Sequence, residues 1–438
     1  MAETAPITHR RVLDIALPIV LANATVPILG LVDTGVVGQM GAAAPIGAVG
    51  LGAVIITAIY GIFNFLRMGT SGLAAQAHGA RDTPEAGAIL MRALLIGAAG
   101  GVGLILLQLP LMAAAFTLAP ASAEVEDLAR GYLGIRIWGA PATIALFAVT
   151  GWLIAVERTR AVLGLQLWLN GLNIGLDLWF VLGLDWGVDG VAAATIISEW
   201  TALGLGLWLC RGAFAGNAWR DLERILDGVR LRLMLRVNGD IMVRTVALQV
   251  GFVSFMFLGS GLGDVTLAAN QVLVQFLHVV AFALDGFAFA AEALVGQAVG
   301  ARSVRALRRS SVMTSQWGLV AALVLAAGFA LLGPLLIDVM ARDPAVQAAA
   351  RAFLPWVVAG TLISLACYML DGIFIGATAT REMRNAMLVS LAVYGAVLLP
   401  LLPLMGNHGL WAAFMIFNLA RGVTMALYYP RVEARAVA

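Results

Sequence analysis

Six acids stand inside stretches of the chain that are otherwise apolar: Asp33, Asp177, Glu199, Asp285, Glu292 and Asp371. Arg67, Arg136, Arg244 and Arg421 do the same with the opposite charge. A charged side chain in hydrocarbon costs several kcal/mol, so such groups are either paired or put to use. Asp33 and Asp177 each fall about two helical turns from one end of their apolar run, and Thr195 lies at a similar depth in the next run. In LNGLNIGLD (169–177), Asn173 and Asp177 are four residues apart and share a helical face. Gly171 and Gly175 between them form a small-xxx-small pattern that lets another helix approach. A polar cluster of Asp33, Asn173, Asp177 and Thr195 follows. Two carboxylates cannot both stay ionised in a low dielectric without a cation. Either one holds a proton, or a Na⁺ ion sits among the carboxylate, amide and hydroxyl oxygens. Both alternatives make an ion-coupling site. The competing account is a buried hydrogen-bond network that only locks three helices, and a carboxylate is an expensive lock.

The second set has a different character. In DGFAFAAE, Asp285 and Glu292 lie seven residues apart, two turns along one helical face. Arg244 and Arg67 fall at comparable depth. Ion pairing between helices is the expected arrangement, structural or gating rather than substrate-contacting. Glu199, near the middle of its run, could join either set. Asp371 lies near a helix end, opposite Thr150 in the repeat described below, and is given no role. Cys210 and Cys367 are isolated in apolar surroundings and read as small buried hydrophobes. There is no G-x-x-x-x-G-K-[ST] loop for ATP, no H-E-x-x-H and no G-x-S-x-G, and His9, His78, His278 and His408 are dispersed. The chain is therefore expected not to be an enzyme, and to hold no cofactor and no structural metal.

The elements that must position these residues are membrane helices. The chain is 61% hydrophobic and 12% charged, where soluble domains carry about 25% charge. Apolar runs long enough to cross a bilayer fall at about 12–38, 46–76, 87–115, 128–156, 161–184, 190–210, 238–258, 266–297, 309–337, 349–378, 385–404 and 409–430. Runs of this length exclude barrel strands, so the fold class is an all-α polytopic membrane protein with twelve spans. Arginine is the sole basic residue type besides histidine. Twenty arginines fall in the tails and even-numbered loops or at adjoining helix ends, three in the opposite loops and four within spans. The positive-inside rule then puts both termini in the cytoplasm. The first span lacks a cleavage-type end and reads as retained.

The longest polar stretch, Arg211 to Asn238, has a middle that reads as an amphipathic surface helix. It separates residues 1–212 from 238–438, with 213–237 as the linker. The two halves resemble each other. AAQAHGARD (74–82) matches VGQAVGARS (295–303) at an offset of 221 residues, and the same offset pairs Gly139 with Gly360 and Gly151 with Gly372. GVDG (187–190) pairs with GNHG (406–409) at nearly that offset. An internal duplication into two parallel six-helix lobes follows. Such folds place a site between the lobes and work by alternating access. The phenylalanines of the second half (among them Phe252, Phe255, Phe276 and Phe287) would suit a greasy, adaptable cavity.

The text LPIVLANATVPILGLVDTGVVGQMG, with Pro18, Asp33 and Thr34, resembles the first helix of multidrug and toxic compound extrusion (MATE) transporters. FNFLRMGTSGLAAQAHGARD and DGFAFAAEALVGQAVGAR resemble the DNA-damage-inducible protein F branch of that family, and the likeness runs along nearly the whole chain. The resemblance implies a proton- or Na⁺-coupled antiporter that exports amphipathic, often cationic compounds by switching between V-shaped states. It implies a cation site at Asp33, Asn173, Asp177 and Thr195, the cluster that depth alone picks out. It also implies bending of the first helix near Pro18 and Pro27 on protonation of Asp33. Arg67, Glu199, Arg244, Asp285 and Glu292 remain candidate substrate or gating residues. The expected setting is a bacterial inner membrane. The expected partners are the lipid bilayer and amphipathic small molecules, with no nucleic acid, and the expected working unit is a monomer. A lipid-linked flippase of the wider superfamily is the alternative, one that would call for a strongly cationic cavity or extra C-terminal helices.

Overall fold

The structure, a computed structural model, describes residues 6–39, 43–119, 121–217 and 219–437. Among these there are helices and connecting turns and no strands. Twelve membrane-length segments follow one another: α1 (His9–Gly38), α2 (Ala44–Gly79), α3 (Thr83–Leu106), α4 (Ala123–Ala155), α5 (Thr159–Asp177), α6 (Gly187–Leu209), α7 (Gly228–Ser260), α8 (Asp264–Gly300), α9 (Val304–Met340), α10 (Pro344–Gly376), α11 (Thr380–Met405) and α12 (Asn407–Arg435). Eleven of them are long and apolar enough by length and composition to span a bilayer. α5 is the other one. It holds Asn170, Asn173 and Asp177, which lower its hydropathy, and it is prolonged by a π-helical stretch, Leu178–Gly183. Large apolar side chains such as Leu331, Leu399 and Leu427 stand on the outside, as a lipid solvent requires. The chain is a multi-pass membrane protein.

Three local departures from the sequence expectation have plain causes. The third apolar run stops at Leu106, and a separate short helix, Gln108–Leu118, follows it. Pro110 cannot donate to the Leu106 carbonyl, so the helix restarts there. The polar stretch 211–238 does not form one amphipathic surface helix. It makes a 3₁₀ turn, Arg211–Phe214, and a four-residue helix, Leu222–Ile225, capped by Asp221. Its remainder joins α7, since no breaker interrupts the chain after Gly228. Arg92 pins the short helix by donating to the carbonyls of Ile225 at 2.9 Å and Arg224 at 2.7 Å. In the middle of α4, Pro141 has no N–H for the Ile137 carbonyl. The helix tightens into a 3₁₀ turn at Ile137–Gly139 and resumes at Ala140.

By contacts the chain forms two compact units. The N-terminal unit comprises Leu21–Ala74 and Asp82–Met234, and the C-terminal unit comprises Met1–Val20, Ala75–Arg81 and Leu235–Ala438. The start of α1 and the last turns of α2 thus pack with the second half of the chain. The core of the N-terminal unit gathers Val37, Ile56, Leu66, Tyr132, Leu133, Ile144 and Val191. That of the C-terminal unit is aromatic. Phe276 stacks on Phe329 with centroids 5.0 Å apart, and Phe255 meets Trp411 edge-on at 4.9 Å. Asn270 and Asn407 exchange amide hydrogen bonds of 2.8 and 2.9 Å, and Trp411 donates to Asn270 at 2.9 Å.

The duplication is visible in the backbone. Positive φ occurs at Arg81 and Arg302, at Glu157 and Thr378, and at Asp185 and Gly406, three pairs each 221 residues apart. Each pair closes the same helix connection in the two halves, where a left-handed residue reverses the chain within a few residues. Asp82 and Ser303, again 221 apart, cap the helices that follow. Gly79 faces the backbone of Gln297, and Gly300 faces that of Gln76, a reciprocal crossing within the C-terminal unit. A β-carbon at either glycine would overlap the facing carbonyl.

Candidate cation site and a second buried ion network

The break in α4 builds one wall of the site. Since the Ala140 N–H turns back to Ile137, the Arg136 carbonyl loses its helical donor. The Tyr60 hydroxyl of α2 takes its place, donating to that carbonyl at 2.9 Å. The Arg136 guanidinium is buried and donates to both oxygens of Glu199 on α6, at 2.8 and 3.0 Å. Two-pronged geometry of this kind is the strongest an arginine and a carboxylate make. Gly139 is required for it, since a β-carbon there would overlap a Glu199 oxygen.

Asp177 ends the α-helical part of α5, where the π-helical stretch begins. Its carboxyl group lies within hydrogen-bonding reach of Asp33 on α1 and feels the charge of Arg136. Both Asp177 oxygens are buried and accept no hydrogen bond from the described residues, and neither does Asp33 Oδ1. One turn back along α5, Asn173 donates to the Thr195 hydroxyl of α6 at 3.1 Å, and Thr195 donates to the Val191 carbonyl at 2.9 Å. Asn173 Oδ1 is left buried and unpartnered. Asn170 donates to the Thr25 hydroxyl of α1 at 2.7 Å. The arrangement is a set of bare acceptor oxygens on α1 and α5 beside a guanidinium already held by another acid. A proton shared between the carboxyl groups, or a small cation, is what such a set can take. The side chain of Thr34 lies outside the described residues. α1 runs as one α-helix through Pro18 and Pro27.

In the C-terminal unit the charges pair otherwise than the sequence suggests. Arg244 of α7 donates to Asp371 of α10, and Arg421 of α12 donates to the same oxygen at 2.8 Å. Arg421 also donates to Asn418 at 3.0 Å. Arg244 is therefore held by Asp371, to which the sequence reading gave no role, and not by the acids of DGFAFAAE. Asp285 stands close enough to Tyr368 of α10 to act on it electrostatically, and Glu292 is fully buried on α8. Arg67 is buried on α2. Glu199 belongs with Arg136 in the N-terminal unit.

A model of the MatE family matches the chain twice, over residues 18–179 and 241–401. The chain belongs to the MatE family. The two MatE matches fall on the two halves related by the 221-residue offset. MatE proteins are transporters, so the family assignment carries a transport role and not an enzymatic one. The chain is 38% identical to DNA damage-inducible protein F of Escherichia coli (strain K12), over 95% of its own length and 91% of that protein's. It is 26% identical to the probable multidrug resistance protein NorM of Pseudomonas aeruginosa, over 97% and 89% respectively. A crystal structure of a MATE protein in a bent conformation superposes with a TM-score of 0.87, covering 97% of this chain and 96% of that one at 19% identity. An outward-facing multidrug resistance MATE transporter superposes with a TM-score of 0.85, covering 98% and 96% at 20% identity. At these identities the structural likeness carries the two-lobed MatE fold alone.

The pairing of Arg136 with Glu199 escaped sequence reasoning, though a signal existed. Gly139 and Pro141 directly after a buried arginine announce a helix break, and a break is where a second helix can bring its acid. Arg421 and Asp371 were likewise visible in the sequence as opposite charges within apolar runs.

Proposed function

We propose that the chain is a proton-coupled antiporter exporting amphipathic, often cationic compounds, with Asp33 and Asp177 as the coupling pair. The observation that carries this reading is the approach of the two carboxyl groups to hydrogen-bonding reach, with both Asp177 oxygens buried and without donors. Like charges at that separation repel strongly in a low dielectric. The pair takes up one proton and holds it between its oxygens. Loss of that proton drives the two carboxylates, and the helices carrying them, apart. α1 is suited to respond. Pro18 and Pro27 bring no N–H to the helical ladder, so α1 bends there at low cost. Arg136, bound by Glu199, supplies a fixed positive field rather than a competing salt bridge. The name of the Pseudomonas relative supports a drug-like substrate class. The arginine bias supports an inner-membrane setting with both termini cytoplasmic, and a monomer suffices for this cycle.

The bare Asn173 Oδ1 favours a second reading, in which the coupling ion is Na⁺ held by Asp33, Asn173, Asp177 and Thr195. Everted vesicles carrying either the native protein or D33N separate the cases. Dye efflux driven by an imposed pH gradient is expected in the native protein and absent in D33N. Proton-driven efflux that survives in D33N overturns the proposal. A Na⁺ gradient at fixed pH that alone drives efflux in the native protein selects the second reading.

A further inference from the structure

The C-terminal unit carries a groove of about 640 Å³ between α9, α10 and α12. That size falls in the range of about 300–1,000 Å³ usual for ligand sites. At one end Arg308 donates two hydrogen bonds of 2.7 Å to Glu433. Farther along the same face of α9 come Ser315 and Gln316, and beyond them Leu319, with Leu365 and Ile373 of α10 as the floor. The groove opens sideways onto the apolar outer surface. Leu319 is 44% exposed, and the stripe continues through exposed Leu323, Val324 and Leu331.

Three features of the groove ask for a ligand of one kind. Arg305 is exposed one turn before Arg308 on the same face, with Arg302 and Arg309 exposed beside it. Among the described residues Glu433 pairs with Arg308 alone of these cations, so the end of the groove is net positive. Gln316 is exposed about 12 Å along α9 from Arg308 by helical rise, and its amide makes no hydrogen bond within the described residues. An amide facing hydrocarbon without a partner is costly. The remaining wall is largely apolar, with Ser311 and Tyr429 as its polar groups near the charged end. Cation, then amide and hydroxyl, then apolar floor is the order of phosphate, glycerol esters and acyl chain in a phospholipid.

We propose that this groove binds one anionic glycerophospholipid, its phosphate at Arg305 and Arg308, its ester oxygens at Ser315 and Gln316, and an acyl chain along Leu319, Leu365 and Ile373. The net positive end disfavours a cationic drug, and the sideways opening lets the lipid enter from the bilayer. Basic pockets between membrane helices commonly hold anionic headgroups in this way.

The test uses the full-length protein, purified and delipidated in detergent, and native mass spectrometry with added phosphatidylglycerol or phosphatidylcholine of identical chains. Phosphatidylglycerol is expected to bind about tenfold more tightly. R305Q/R308Q removes that preference, L365W weakens both lipids, and E433Q, which frees Arg308, strengthens phosphatidylglycerol. E433Q keeps the test decisive should the double variant misfold. Equal binding of the two lipids by the native protein overturns the proposal. So do unchanged preference in a monodisperse R305Q/R308Q, displacement of phosphatidylglycerol by a cationic dye, and occupation of the groove by a second copy of the chain.

Discussion

The two halves of the chain are built on one backbone and carry different interiors. A step of 221 residues takes Asp33 to Ser254, Asn173 to Tyr394 and Asp177 to Leu398. In the first half these positions hold bare carboxyl and amide oxygens. In the second, the Ser254 hydroxyl meets the Tyr394 hydroxyl at 3.3 Å, a neutral contact beside the aromatic core of Phe255, Phe414 and Phe417. The buried ion pairs are exchanged in the same manner. Arg136 and Glu199 correspond to Val357 and Ala420, whereas Arg244 and Asp371 correspond to Asn23 and Thr150. Turns, caps and close crossings were kept because every helix connection depends on them. The interior polar groups were free to diverge, because each network needs only to be satisfied within its own unit. On the proposed function, ion coupling belongs to the first half, at positions where the second half carries Ser254, Tyr394 and Leu398.

That asymmetry can be broken at its strongest point by giving the first half the residue of the second. D177L is expected to abolish gradient-driven dye efflux from everted vesicles, while S254A leaves efflux within about twofold, one neutral hydrogen bond being worth about 1 kcal/mol. Comparable losses in the two variants would erase the distinction between the halves. Next in size is the lock between α4 and α6. E199Q leaves a buried guanidinium without its anion and should destabilise the protein in detergent by about 3–5 kcal/mol. R136M/E199M should recover most of that loss, since a well-packed apolar pair replaces a buried ion pair at little penalty. Thermal unfolding of the two variants decides it, and equal loss in both would deny the pairing its role. The smallest effect tests what the halves share. Gly151 faces the carbonyl of Arg67 and Gly372 that of Ala288, crossings related by the same offset. G151A and G372A should each cost about 1–3 kcal/mol through overpacking, and by similar amounts. A large inequality in their unfolding temperatures would show that the repeat has relaxed in one half.

Much of the architecture was legible without coordinates. Spans show in sequence because a bilayer admits only helices and closed barrels, runs this long exclude barrel strands, and the number of residues needed to cross is set by the helical rise. The repeat was legible in Gln76 and Gln297, Gly79 and Gly300, because turns and close crossings demand particular residue types. The cluster at Asn173 and Asp177 was legible because four residues on a helix put two side chains on one face. What sequence left open were the partners of each charge. Arg244 had Asp285 and Glu292 at comparable depth, and Glu199 could have joined either set.

The amino-acid sequence by itself determined the helical membrane fold, the doubling of the chain and the depth of its buried acids, since hydrophobic length, turn chemistry and helical period are local properties. Only the tertiary structure decided that Glu199 binds Arg136 and that Asp371 takes both Arg244 and Arg421. Those meetings depend on how helices far apart in sequence rotate and cross. Rotation is set by packing at positions such as Gly139 and by breaks such as the turn at Ile137–Gly139, whose effects become visible only when all the neighbours are in place.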